Sequence, residues 1–187
     1  PVSTSRRVYG SGGRRAPSSR PPMNSSSWRQ HRGDKQRGQL ARQITVANTS
    51  TQAGKWEKSR FMGVELSGKC LGIIGCGRIG TAVARRAAGF NLRVLACDPA
   101  PNDAAKKLGV EFVPLESLLA QSDFVSLHAA VTSETKGLIG EAQLKQMKPD
   151  AYLINTGRGA LVDEAALARA LNDDGIAGAA VDTFVEE

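Results

Sequence analysis

Between residues 70 and 182, short apolar runs recur, each too short to be a buried helix and each followed by a stretch with helical spacing. Residues 70–75 (CLGIIG), 92–98 (LRVLACD), 123–128 (DFVSLH) and 151–155 (AYLIN) are apolar at successive positions rather than alternate ones. A strand of that kind is buried on both faces, the situation of a parallel sheet covered by helices on either side. Helical patterns fill the gaps at 78–90, 103–108, 115–121, 141–147 and 163–171; 111–113 is a weak strand and 176–182 the last one. Crossovers between parallel strands are right-handed, so the pattern predicts an α/β fold with a doubly wound parallel sheet. Such sheets bind ligands outside the carboxyl ends of their strands.

Residues 1–39 break the pattern. Ser, Pro, Gly and Arg fill 25 of these 39 positions, and Leu, Ile and Phe are absent. Too little apolar surface is available to offset the chain entropy, so a disordered basic tail is expected. The tail carries a charge of +8 against −1 for residues 40–187, which accounts for the +7 of the whole chain. The basic excess therefore does not mark the folded part as a nucleic-acid binder, and nucleic acid is not an expected partner. An arginine-rich arm tracking a phosphate backbone is the alternative use of the tail. Residues 40–56 read as a linker helix with Leu40, Ile44 and Ala47 on one face, and 57–187 as the domain. No run approaches the ~20 apolar residues of a membrane span, and the N-terminus lacks the apolar core of a secretory leader. Cys70, Cys76 and Cys97 are odd in number and form no C-x-x-C pair. Neither a disulfide framework nor a thiolate metal site is expected, no metal is assigned, and a reducing, cytoplasmic setting fits.

The sharpest motif is Gly75-Cys76-Gly77-Arg78-Ile79-Gly80, a G-x-G-x-x-G placed after an apolar strand and opening a helix. Gly75 permits the tight turn, Gly77 lets a diphosphate approach the backbone, and Gly80 lets the helix pack against the strand. Phosphate charge then rests on the free N–H groups of a helix N-terminus. Asp98 follows Gly80 by 18 residues, at the end of the second strand. A carboxylate there accepts from both hydroxyls of an adenine ribose and repels a 2′-phosphate, which favours NAD over NADP. Pro99 after it makes a plain turn role the competing explanation. Cys76 reads as a small packed residue rather than a reactive thiol.

A second loop, Asn155-Thr156-Gly157-Arg158-Gly159, also follows a buried strand. Gly157 and Gly159 leave Arg158 uncrowded, and an exposed guanidinium grips a carboxylate through two parallel hydrogen bonds. Asp163 and Glu164 suit the first turn of the next helix.

Four stretches, 54–80 (GKWEKSRFMGVELSGKCLGIIGCGRIG), 126–139 (SLHAAVTSETKGLI), 154–171 (INTGRGALVDEAALARAL) and 177–187 (AGAAVDTFVEE), together resemble the D-isomer-specific 2-hydroxyacid dehydrogenases. The likeness covers about Leu40 to Glu187. Residues 55–66 are most similar to the branch of the family that oxidises 3-phospho-D-glycerate in serine biosynthesis. The resemblance implies a Rossmann-type NAD-binding domain in which Arg78, Ile79 and Asp98 contact NAD, while Thr156, Gly157, Arg158 and Asp182 line its nicotinamide side. It implies that Arg158 is the catalytic arginine, holding the carboxylate of a small 2-hydroxyacid and polarising its C2 oxygen. It implies that Glu187 is the glutamate that raises the pKa of a histidine, the general acid/base of hydride transfer. It also implies that subunits of the complete protein pair through their nucleotide domains.

The chain departs from the family in three ways. The family histidine lies beyond the glutamate; His31 belongs to the tail and His128 to the end of the fourth strand, a wall of the cofactor cleft, and neither is expected to replace it. A substrate domain, which the family builds from both sides of the nucleotide domain, has no counterpart in residues 1–39. Ala130 and Thr183 stand where proline and valine are usual. The polypeptide is therefore expected to be a fragment that binds NAD weakly and lacks proton-transfer help of typically ~10²–10⁴-fold in rate. The change of texture at Leu40 suits a shifted reading frame or a misjoined gene. Two other functions compete: a non-catalytic NAD-sensing module, as some relatives form in transcriptional corepression, and a glyoxylate or hydroxypyruvate reductase. Arg158 and Glu187 at the family spacing favour an enzyme over a sensor.

Overall fold

The computed structural model describes residues 7–10 and 44–185. Its strands are β1 (Arg7–Gly10), β2 (Cys70–Ile74), β3 (Arg93–Cys97), β4 (Glu111–Phe112), β5 (Phe124–Leu127), β6 (Tyr152–Asn155) and β7 (Gly178–Val181). They form one sheet in the order β1-β7-β6-β5-β2-β3-β4, and every neighbouring pair is parallel. From β2 the chain runs outward to β3 and β4, crosses back to β5 on the other side, and runs outward again to β6 and β7. The reversal lies between β2 and β5, as the doubly wound reading requires.

The helices are α1 (Ile44–Gln52), α2 (Arg78–Ala88), α3 (Asp103–Lys106), α4 (Leu115–Gln121), α5 (Glu141–Gln146) and α6 (Glu164–Asn172). All five residues of β2 and all four of β5 are buried, so adjacent side chains feed cores on opposite faces. Ile73 joins Leu71, Ala84, Ala87, Val94 and Ala96 on the face of α2 and α3. Ile74 joins Leu95, Leu118, Val125, Leu127 and Leu153 on the other, where α4, α5 and α6 add Leu119, Leu144 and Leu167. Only at β6 does burial alternate, with Tyr152 and Ile154 half-buried while Leu153 and Asn155 are covered. Tyr152 stacks on Phe124, ring centroids 5.5 Å apart.

Two sequence expectations need correction. Arg7–Gly10, inside the stretch read as a disordered tail, forms a strand paired in parallel with β7 along Gly178–Val181. The outer edge of β7 presents a row of backbone N–H and C=O groups, and an extended RVYG segment satisfies them whatever its own burial. The other residues of 1–39 lie outside the described residues. Of the expected linker helix, residues 40–43 lie outside the described residues and the helix ends at Gln52 rather than 56; of its apolar side chains Ile44 is 49% exposed and Ala47 half-buried, while Ser50 is buried and donates to Glu57 Oε2 at 2.6 Å. Elsewhere the strands end about one residue early, where Gly75, at φ +87°, and Asp98 leave the ladder.

At the amino edge Asp123 stitches three strands. Its Oδ2 accepts from Cys70 N–H at 2.7 Å, its backbone bonds β2 and β6, and its Oδ1 meets Lys148 Nζ at 3.0 Å. Burial pushes this carboxyl up, yet the Cys70 N–H and the Lys148 ammonium outweigh it and hold Asp123 below its ordinary value. A depressed carboxyl contributes stability that is present above about pH 4 and is lost as the pH falls through the folded value. Asp123→Asn should therefore flatten the loss of stability between pH 6 and pH 3 in urea titrations; an unchanged acid slope would exclude this role. A second test concerns β2, where a Cβ at Gly72 would overlap the Leu118 side chain and the Ser122 hydroxyl. Gly72→Ala should cost about 1–3 kcal/mol of unfolding free energy.

Candidate functional site

Strand register carries the predicted residues to one edge. Ile74 is level with Cys97 on one side and Leu127 on the other; Leu127 is level with Asn155, and Asn155 with Val181. The loops leaving those positions hold the glycine motif, Asp98, His128, Thr156–Arg158 and Asp182. From β3 across β2 and β5 to β6 is about 14 Å at ordinary strand spacing. Two linked nucleotides can lie along that row.

The glycine loop is built for close approach. Gly75 turns at φ +87°, and a Cβ there would strike the backbone of His128 and Ala129, so the β2 and β5 loops touch. A Cβ on Gly80 would run into the Gly75 carbonyl and crowd Ile73, which explains why α2 can lie so near β2. At Gly77 the same test meets nothing within 4 Å. Gly77 opens α2 without a side-chain cap, and the N–H groups of Gly77, Arg78 and Ile79 find no acceptor among the described residues. Four N–H groups are orphaned at any helix start, and here they border open space. Ile79, 65% exposed, adds an apolar wall beside them. The residues present thus fit a nucleotide diphosphate.

Asp98 does more than the sequence suggests. Its Oδ2 accepts from Cys76 N–H at 2.7 Å and its Oδ1 from Ala100 N–H at 2.8 Å. The turn role is therefore present: the carboxylate ties the end of β3 to the glycine loop, and each oxygen keeps a lone pair beyond these bonds. Cys76 is fully buried, its Sγ 3.9 Å from Thr81 Oγ1, and burial pushes its thiol up, with the Asp98 charge adding to the effect. It is a packed, neutral thiol.

On the other side of the reversal, Asn155 shapes the arginine loop. Fully buried at the end of β6, it accepts from Gly157 N–H (3.1 Å) and donates to the Arg158 carbonyl (2.9 Å), while its own carbonyl accepts from Asp182 N–H. The Arg158 side chain is exposed; its guanidinium donates to the Gly157 carbonyl (3.1 Å) and pairs with no carboxylate among the described residues. Asp182 is exposed and Thr156 half-buried on the same edge. The chain after Asp182 is strapped over this loop: Thr183 Oγ1 donates to the Gly157 carbonyl, a Cβ on Gly159 would strike Phe184, and Val185 N–H donates to Glu164 Oε1 at 2.8 Å. Asp163 caps α6 through Ala166 N–H at 3.0 Å. His128 is half-buried at the end of β5, with Nε2 2.9 Å from Ser126 Oγ. Glu187 and His31 lie outside the described residues.

Sequence reading missed four residues here: Asn155, Asn102, Thr81 and Glu164 as a tether. Asn102 had a legible signal, an Asn directly before a helix-forming run. Asn155 had a weaker one, a polar residue closing an apolar strand. Nothing local marks Thr81, whose partner lies five residues back, or the Glu164 bond to Val185.

Comparison with known proteins agrees with this geometry. The model of the NAD binding domain of the D-isomer specific 2-hydroxyacid dehydrogenases matches residues 38–187. Glyoxylate reductase of Korarchaeum cryptofilum is 49% identical over 152 residues, covering 79% of this chain and 46% of the relative. The chloroplastic D-3-phosphoglycerate dehydrogenase 2 of Arabidopsis thaliana is 45% identical over 149 residues, covering 79% and 24%. The NAD-complexed D-isomer specific 2-hydroxyacid dehydrogenase of Lactobacillus delbrueckii superposes with a TM-score of 0.72 at 37% identity, covering 79% and 46%. The chain spans about half or less of the length of these relatives. A glycine loop at a helix start, an acid at the next strand end and an exposed arginine across the reversal meet in a chain that belongs to the D-isomer specific 2-hydroxyacid dehydrogenase family, through its NAD-binding domain.

Proposed function

We propose that this domain holds NAD along the carboxyl edge and serves hydride transfer between NAD and the C2 carbon of a D-2-hydroxyacid. The observation that carries the reading is the row of free N–H groups at Gly77, Arg78 and Ile79, with Asp98 level on one side and Arg158 on the other. NAD, when bound, supplies or accepts the hydride at its nicotinamide ring. The N–H groups bind the diphosphate and Gly75 and Gly80 keep its seat narrow. Asp98 accepts from the ribose hydroxyls, and its charge disfavours a 2′-phosphate there. Ile79 shields one side from water, and Thr156, Gly157 and Asp182 border the nicotinamide end.

Arg158 takes the substrate carboxylate in a two-pronged hydrogen bond and withdraws charge from the C2 oxygen. The Asn155 bonds and the strap at 183–185 hold the Arg158 backbone, so the guanidinium is presented rather than left to search. Glu187 follows the strap closely, and we assign it to support of an acid/base histidine. His128 is a poor candidate for that histidine, because its Nε2 is committed to Ser126.

The KWEKSRFMGVEL stretch supports 3-phospho-D-glycerate as substrate, and a role in serine biosynthesis with it. The 49% identity to a glyoxylate reductase supports glyoxylate instead. Pairing of subunits through this domain in the complete protein belongs to the same proposal, and no helix among the described residues is long and apolar enough to cross a membrane.

Calorimetry on the chain should show NADH binding in preference to NADPH. Asp98→Ala should weaken NADH binding about tenfold or more, ~1.4 kcal/mol. Arg158→Ala should leave NADH binding within about threefold, yet abolish the added heat of a 2-oxoacid, a charge-assisted contact of about 1.5–3 kcal/mol. Phosphohydroxypyruvate against glyoxylate as that 2-oxoacid separates the two substrate readings. No heat with NADH would sink the reading.

A further inference from the structure

The Cys76–Gly77 peptide is gripped from behind. Asn102, the residue that caps α3, donates from Nδ2 to the Cys76 carbonyl at 2.5 Å while its Oδ1 accepts from Ala105 N–H at 2.8 Å. Thr81 Oγ1 donates to the same carbonyl at 3.3 Å, and Asn102 Nδ2 also lies 3.4 Å from Thr81 Oγ1. On the preceding peptide, Cys76 N–H is held by Asp98. A peptide unit is planar and trans, so its C=O and N–H point in opposite directions. Fixing the Cys76 oxygen toward Asn102 and Thr81 therefore aims the Gly77 N–H the other way, away from both side chains, where it meets no acceptor among the described residues.

We infer that Asn102 is a positioning residue for diphosphate recognition: through the Cys76 carbonyl it sets the direction of the Gly77 N–H, with Thr81 as second donor. This rests on the nucleotide reading above and goes beyond it, since Asn102 is placed to act without touching the ligand. The two bonds divide the labour of one side chain. The oxygen serves the helix cap, a stability role, and the amide nitrogen serves the loop, a binding role. Asparagine supplies both an acceptor and a donor; aspartate supplies only the acceptor.

Asn102→Asp separates the roles. The cap survives, so the thermal midpoint should fall by only the few degrees that one lost loop hydrogen bond costs. The loop loses its donor and meets a carboxylate against a carbonyl, so affinity of the chain for ADP and NADH should fall roughly tenfold. Binding of adenosine, which lacks the diphosphate, should change less than about twofold. In the ligand-free chain, amide exchange at 76–79 should quicken. Thr81→Val should weaken ADP in the same direction by a smaller factor, and Thr81→Ser, which keeps the hydroxyl, should restore it; this pair stands even if Asn102→Asp folds poorly. Unchanged ADP affinity in Asn102→Asp and in Thr81→Val, or an equal loss of adenosine and ADP, would overturn the inference while leaving the nucleotide reading intact. Failure of the unsubstituted chain to bind either ADP or NADH would overturn both.

Discussion

Ile74 hydrogen-bonds its way between Cys97 and Leu127, and from that line every loop carrying a candidate contact leaves the sheet. The constraint is backbone register. Parallel strands buried on both faces cannot slip without moving apolar side chains between two cores, and Ile73 and Ile74 are fully packed into opposite ones. With the ladder pinned, the ends of β2, β3, β5 and β6 are level, and the loops that carry the candidate contacts leave the sheet along one line on both sides of the reversal.

The two edges of the sheet are used differently. At the amino edge, Asp123 and Lys148 spend their charges on each other and on the Cys70 N–H. At the carboxyl edge, polar groups are satisfied on one side only. Asp98, Asn102 and Thr81 hold the Cys76 peptide, and Asn155 holds the Arg158 loop, yet among the described residues the Gly77–Ile79 N–H groups meet no acceptor and the exposed Arg158 guanidinium meets no carboxylate, only the Gly157 carbonyl. Buried polar groups are normally paired, so rigid support behind free donors is the arrangement of a binding site rather than of a loose loop.

Much of this was legible in the order of residues. Unbroken apolar runs identified β2, β3, β5 and β6, because burial on both faces removes the alternation of a half-exposed strand. The glycines of 75–80 announced their loop, since close approach of helix, strand and neighbouring loop leaves no room for a side chain at Gly75 and Gly80. Less was legible where partners are far apart in sequence. The buried role of Ser50, the grip of Asn102 on a carbonyl 26 residues earlier and the tether from Glu164 to Val185 depend on contacts no local pattern encodes. The pairing of Arg7–Gly10 with β7 is of the same kind: composition speaks against a strand, and an open sheet edge makes one.

The chain's own residue order determined the doubly wound architecture, the place of the glycine loop, the acid at 98 and the arginine at 158, because hydrophobic period and conformational demand are local properties. Only the folded chain decided that Asp98 ties β3 to the glycine loop, that Asn155 and Asn102 hold the two loops, and which N–H groups among the described residues find no acceptor. Those outcomes depend on which donors and acceptors meet across strands, and hydrogen-bond partners are chosen in three dimensions.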